Sequence, residues 1–545
     1  MSRKWLPLAL AVCGAGLLVL ATTASAAPKH VSHVGKTGGT LKVEYSSDVD
    51  YVDPALDYLD LGWNIQQIVG CKLLNYPDKN GDPGLQLVPE VAAGQPVISA
   101  NGMSYTFTVQ SGFKFANGEV VTAKSFANTF NRNANPKLQS PAAAFLNDIV
   151  GAQAVLDGKA SSISGIKVSG NKITFKLTKA APDFLARIAM PFFQAVPSSF
   201  VAKLDPNGEN VIPGCGPYWI SARTPNQSIT VKRNPFYKGS RPHNFNEIDY
   251  KIGNSLQVME QNVLNGTTDL TYEPPPNDIK GLVDKYGVNK SVVYIKPALS
   301  ILYWALNNDR PLFKNNPKLA QAVNFAVDRR ALLAQSGFGA GVKFDHILPP
   351  GLAGAARPGV TGYPLKSADI KKAKTLSSGH TGDGKATIWV RNTGVGPLQA
   401  QIVQFDLAQI GIKSDIQQLN GGVYYTKAGV RGASFDIIRA GWIADYPDPY
   451  DFINVLLDGG LIQDSNNVNL AYFNNPAYNK QMAAAARLVG SSRYSTYGSL
   501  DVDIMKNAPP WIVTYATTTR MLLSKRVGCF TYGPYYIDLN ALCLK

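Results

Sequence analysis

The chain has one long apolar run, at residues 6–21, and nowhere else does a stretch approach the ~20 apolar residues of a membrane span. That asymmetry excludes a multi-span channel or permease. Arg3 and Lys4 precede the run and the small-x-small site Ala24-Ser25-Ala26 follows it, so residues 1–26 are expected to be a signal peptide cleaved before Ala27. Leu10-Ala11-Val12-Cys13 falls short of a lipid-anchoring box, because Val12 is bulky and Cys13 comes early. The expected location is the periplasm or the cell surface, with free secretion and membrane association both open.

Export sets the redox environment. Cys13 leaves with the signal segment, and an even set of four cysteines remains, suggesting two disulfides. Three pairings are possible. Cys71–Cys215 with Cys529–Cys543 is favoured, since the last two flank a short C-terminal segment able to fold as a hairpin. The CxxC and CxxH spacings of metal sites are absent. Removing Arg3 and Lys4 from the 53 basic residues leaves 51 against 38 acidic ones, a net charge of +13. The basic residues are spread out, with only pairs such as Arg329-Arg330 and Lys371-Lys372, so a basic solvated surface is expected and no nucleic-acid groove.

Residues 27–37 are small and polar and read as a flexible leader. Strands are expected where apolar residues alternate: Leu41/Val43/Tyr45, Tyr105/Phe107/Val109, Ile173/Phe175/Leu177, Ile229/Val231, Ile248/Tyr250/Ile252 and Ile388/Val390. Helices interleave with them. Thr122 caps one whose inward face is Ala123, Phe126, Ala127 and Phe130. Asn316-Pro317 opens a second, faced by Leu319, Ala322, Val323 and Ala326. Pro397 opens a third, with Leu398, Ile402 and Phe405 expected inward and Gly411 as its stop. Strand 386–390, helix 397–410 and strand 412–416 would make a βαβ-like unit. No repeat of 20–50 residues is present, which argues against solenoids and propellers.

The signatures of catalysis are missing. There is no G-x-S-x-G elbow and no H-E-x-x-H, and all five histidines lie in polar or turn-like sequence. Gly379–Ala386 imitates a phosphate-binding loop but ends in Ala386, without the hydroxyl that ligates magnesium, and precedes a strand instead of a helix. Asp445, Asp448 and Asp451 recur every three residues, yet Pro447 and Pro449 break the helix that would stack them, and the calcium-loop pattern is absent. No catalytic residue, metal or cofactor is expected.

Several stretches resemble the extracellular solute-binding proteins of peptide-type ABC importers, the dipeptide, oligopeptide and nickel class. The resemblance runs from about residue 38 to about residue 535. Its most specific block is Tyr105-Thr106-Phe107, Gly112-Phe113-Lys114-Phe115-Ala116-Asn117-Gly118 and Val121-Thr122-Ala123-Lys124. Others are Gly38–Val43 with Asp53-Pro54-Ala55, Leu87–Ala92, Gly214-Cys215-Gly216-Pro217-Tyr218, Arg233-Asn234-Pro235-Phe236-Tyr237, Ala326-Val327-Asp328-Arg329 and Gly441-Trp442-Ile443-Ala444-Asp445-Tyr446-Pro447-Asp448-Pro449. Cys215 departs from the usual threonine.

The resemblance implies a mixed α/β, periplasmic-binding-protein-like fold with two lobes, a hinge and an extra subdomain. Lobe I is expected at 38–74, 214–300 and 513–545, the extra subdomain at 75–213 and lobe II at 301–512. It implies a monomer that captures a peptide or related small molecule by hinge closure and delivers it to ABC permease membrane subunits with cytoplasmic ATPases. Asp445 would pair with a peptide's ammonium group and Trp442 would wall the site. Tyr51, in the first cleft loop, and Tyr303-Trp304, where the second lobe begins, are further contact candidates. Rival readings are the same fold holding an oligosaccharide or another solute, and a secreted hydrolase.

Overall fold

The computed structural model describes residues 36–203, 205, 208–533 and 539–545. The expected signal peptide lies outside these residues, as does most of the leader. No helix among the described residues is long and apolar enough to cross a membrane.

Alternating strands build one large mixed sheet. From one edge it runs Lys413–Leu419, Lys385–Arg391, Ile437–Ile443, Val293–Leu306, Trp511–Leu523, Leu270–Thr271, Thr40–Tyr45, Glu247–Ile252, Ser228–Arg233 and Tyr218–Thr224, with Gly341–Lys343 added beside Trp511–Leu523. Lys385–Arg391 and Lys413–Leu419 are parallel and joined by helix Gly396–Ala408, the expected βαβ-like unit. A second, antiparallel sheet of four strands includes Ser104–Thr108 and Lys172–Lys176, which pair Phe107 with Ile173. Against it lies helix Ala123–Ala134, where Ser125 Oγ accepts the Thr122 N–H at 3.1 Å.

Three large cores follow among the described residues. One draws on residues 41–69, 218–270 and 521–542, so it is assembled from distant parts of the chain. The second lies within 63–215, joined by Tyr237 and Tyr446. The third spans 299–516. The first and third share the sheet through two long antiparallel strands, Val293–Leu306 and Trp511–Leu523. Their register slips between Pro297 and Ile301, where the flanking residues Tyr294–Ala298 and Thr517–Arg520 lose full burial. An irregular, half-exposed stretch of a two-strand connection is where a backbone bends most easily.

Two disulfides join Cys71 to Cys215 and Cys529 to Cys543. The first ties the start and end of the segment that builds the second core.

Helix Gly396–Ala408 corrects the sequence reading. Leu398 is 53% and Phe405 68% exposed, while Ala400, Val403 and Leu407 are buried. The helix is apolar on all sides, so apolar spacing alone selects no face. Specific polar contacts decide it: Gln399 Nε2 donates to Leu332 O at 2.7 Å, and Asp406 Oδ2 accepts the Asp328 N–H at 2.9 Å. His346 is likewise fully buried, with Nδ1 2.7 Å from Asp501 Oδ2.

Candidate functional site

The strand Ile437–Ile443 ends in the segment Ala444–Asp448, and Pro449 starts the helix Pro449–Leu457. Two prolines within three residues keep this turn out of helical geometry until Pro449 supplies the first helical position. The four polar side chains of the turn go to four different places. Asp448 caps the helix, accepting from Tyr450 N at 2.9 Å, and takes a two-pronged ion pair from Arg493 at 2.6 and 3.2 Å. Asp451 Oδ2 accepts both the Trp442 indole N–H and the Asp445 backbone N–H, each at 3.0 Å. Tyr446 is fully buried in the second core and donates to Asp183 Oδ2 at 3.0 Å. Asp445 accepts the Tyr58 hydroxyl at 2.7 Å.

Tyr58 lies 387 residues away in sequence. It belongs to the loop before helix Asp60–Val69, and its ring packs between Trp63 and Phe192, at centroid distances of 5.7 and 5.2 Å. Its backbone N–H is fixed by Asp50 Oδ2 at 3.0 Å. The turn at 445–451 therefore bridges the parts of the molecule: its helix packs in the third core, Tyr446 enters the second, and Asp445 meets a tyrosine anchored beside the second.

The electrostatics of this junction are one-sided. Burial pushes the Asp445 carboxyl up to about 7, although the Tyr58 hydrogen bond works in the opposite direction. Asp451 is fully buried; desolvation and the neighbouring Asp445 charge push it well above the usual carboxylate range, and its Oδ1 has no hydrogen-bond partner. Among the described residues no lysine or arginine forms an ion pair with either group. A desolvated carboxylate without a cation is costly unless something brought from outside neutralises it. An ammonium group fits that need. The third aspartate, Asp448, faces Arg493, so the three acids do not converge, and no group of three or more metal-ligating side chains occurs among the described residues.

Trp442 connects this cluster to a cavity of about 310 Å³ beside it. Half-buried, it spends its N–H on Asp451 and turns its ring to the cavity, whose wall also includes Ile443, Arg391, Arg439, Tyr424 and Tyr425.

The other candidates sit elsewhere. Tyr303 stacks on Trp511 at 4.0 Å and is 2% exposed, and Trp304 is fully buried; both are core side chains of the third cluster, which corrects the expectation that they line the cleft. Their strand reaches the cavity instead through Ser300, Ile301 and Leu302. Tyr51 packs on the small cluster Ala55, Leu56 and Leu138, while Tyr58, seven residues on, makes the contact with Asp445. The cap of this turn is Asp448, which leaves the Asp445 carboxylate to Tyr58.

Two lobes in one sheet, joined by a two-strand hinge, with an extra subdomain and a carboxyl cluster where they meet, define a two-lobed solute-binding fold. The family model of bacterial extracellular solute-binding proteins, family 5, matches residues 86–463, and the chain belongs to that family. It is 26% identical over 453 residues to the periplasmic murein peptide-binding protein MppA of Escherichia coli K12, covering 80% of this chain and 81% of that protein. It is 26% identical over 467 residues to heme-binding protein A of Haemophilus influenzae, covering 81% of each. Among solved structures, clavulanic acid biosynthesis oligopeptide binding protein 2 superimposes with a TM-score of 0.83 at 21% identity, over 93% of this chain and 96% of that one.

Proposed function

We propose that this chain is an exported receptor that captures a peptide between its lobes and delivers it to the membrane subunits of an ABC importer, catalysing no reaction itself. Asp445 carries the reading: a buried carboxyl, pushed up to about 7, with no cationic partner among the described residues, placed where Tyr58 closes over it. A peptide's ammonium supplies the missing charge, and Trp442 shields the pair from water.

The three cores support lobe I at 38–74, 214–300 and 513–545, a subdomain at 75–213 and lobe II at 301–512, with the bend at the slipped register of Val293–Leu306 and Trp511–Leu523. The likeness to the murein peptide-binding protein of Escherichia coli favours a peptide over other solutes. The receptor acts as a monomer, and its ligand selects the closed state in proportion to its preference for that state.

Calorimetric titration with short peptides and their N-acetylated forms tests this. Free-amine peptides should bind and acetylation should weaken them about ten-fold or more, the loss of one charge-assisted pair. Equal affinity for both forms, or a sugar identified by mass spectrometry as the retained ligand, would overturn the reading.

A further inference from the structure

The two hinge strands do not by themselves say where the bend begins. A third segment touches them both. The disulfide between Cys529 and Cys543 closes a loop near the C-terminus, and its base is fixed in the first core: Val527 pairs with Leu544, Gly528 pairs with Cys543, and Leu539 and Leu542 are buried there. Asn244 Nδ2 donates to the carbonyls of Ala541 and Leu542 at 3.3 and 2.9 Å. The same loop is tied to the segment that builds the second core. Asn540 Nδ2 donates to Asp78 Oδ1 at 3.1 Å, and Asn80 Oδ1 accepts the Tyr532 N–H at 2.9 Å. Cys529 itself stands at φ 55°, a left-handed backbone that a residue other than glycine holds only where its surroundings impose it.

From this base two aromatic side chains reach the hinge. The ring of Phe530 lies 4.3 Å from that of Tyr294, and Lys296 Nζ stands 5.9 Å from its centroid. Tyr532 is buried, and its hydroxyl bridges the two strands: it donates to Pro297 O at 3.1 Å and lies 3.1 Å from Thr519 Oγ1. Pro297 is the last paired residue before the register slips, and it pairs with Thr518, the neighbour of Thr519. These contacts hold both strands up to the slip and stop there. A hinge bends where its backbone is least held, so the loop confines the bend to the slipped stretch after Pro297. If the hold were lost, more backbone would be free in the empty protein. Fixing one further residue on closure lowers affinity by about ten-fold.

We propose that the loop closed by Cys529 and Cys543 is a strap that fixes the pivot of lobe closure, with Tyr532 as its positioning residue, so that closing on a ligand orders little backbone. This rests on the reading above that a ligand closes the lobes.

The experiment follows hydrogen exchange in the ligand-free native protein, in Tyr532→Phe and in Thr519→Val, then titrates each with tetraalanine. Tyr532→Phe should speed exchange within residues 294–302 and 515–520 about ten-fold, leave the strands Thr40–Tyr45 and Lys385–Arg391 unchanged, and weaken tetraalanine about ten-fold. Thr519→Val should act in the same direction, and the double variant should lose less than the product of the two losses, because both substitutions remove one shared contact. Unchanged hinge exchange in Tyr532→Phe would overturn the strap. So would exchange that rises equally in the two distant strands, or faster hinge exchange with undiminished affinity. If tetraalanine binds none of these proteins, the peptide reading falls and the exchange alone decides the strap.

Discussion

Lowering the pH should weaken peptide binding, because the empty receptor holds Asp445 partly neutral. With its carboxyl pushed up to about 7 by burial, about half the empty sites are ionised at pH 7, about a tenth at pH 6 and about a hundredth at pH 5. An ammonium ligand pairs only with the ionised form, so affinity should fall about ten-fold per pH unit below 7, to about 100-fold below its plateau at pH 5. Above about pH 8 the ligand's own α-amino group, with an ordinary value of ~7.7–8.0, loses its proton, and affinity should fall again. The profile is a bell with its top between about pH 7 and 8. Calorimetry in two buffers of different ionisation enthalpy reads the same linkage directly, since binding below pH 7 must release a proton.

The ligand-free protein should respond with the opposite sign. A carboxyl whose folded value is raised stabilises the fold fully below about pH 4 and loses that contribution as pH rises toward about 7. The shift corresponds to about 4 kcal/mol. Asp445→Asn keeps an oxygen for the Tyr58 hydroxyl and removes the charge, so the empty variant should gain up to about 4 kcal/mol over the native chain at pH 8 and nothing at pH 4, while losing the acid limb of the binding profile. A flat affinity between pH 5 and 7, or an acid limb that survives in Asp445→Asn, would refute the reasoning.

Three further outcomes follow from particular contacts. Tyr58→Phe removes the one hydrogen bond that works against burial at Asp445, so the midpoint of the acid limb should move upward by about one pH unit, and an unmoved midpoint would show that the 2.7 Å contact does not persist in solution. Tyr446→Phe leaves Asp183 paired with Arg187 but removes its 3.0 Å bond across to the second core, and should cost about 1–2 kcal/mol in urea unfolding. Replacing Cys71 and Cys215 together by serine opens a loop of 144 residues and should cost about 5 kcal/mol, against about 3 kcal/mol for the 14-residue loop of Cys529 and Cys543; the reverse order in unfolding experiments would contradict the loop-entropy account.

What was legible in the sequence was local. Leu41/Val43/Tyr45 and Ile248/Tyr250/Ile252 alternate and are neighbouring parallel strands, and Asn316-Pro317 caps the helix Pro317–Ala326 through Asn316 Oδ1, because each signal is complete within a few residues. The turn that carries Asp445 was legible as a motif for the same reason: it is short, with prolines at fixed places. Leu398 and Phe405 were misread because a helix apolar on every side leaves its orientation to Gln399 and Asp406, whose partners are more than sixty residues away. Tyr303 and Trp304 look like any aromatic pair, and only the stacking of Tyr303 on Trp511 reveals that they belong to the core.

The other half of the site was hidden by the same physics that makes it useful. Tyr51 and Tyr58 share one loop, and nothing in the loop distinguishes the tyrosine that packs on Leu138 from the one that reaches Asp445 across 387 residues. A binding site formed where separate lobes meet must draw its groups from distant segments, so that bringing the lobes together completes it and parting them opens it. Each segment then carries only a fragment of the chemistry: a carboxyl without its cation on one side, a phenol without an acceptor on the other.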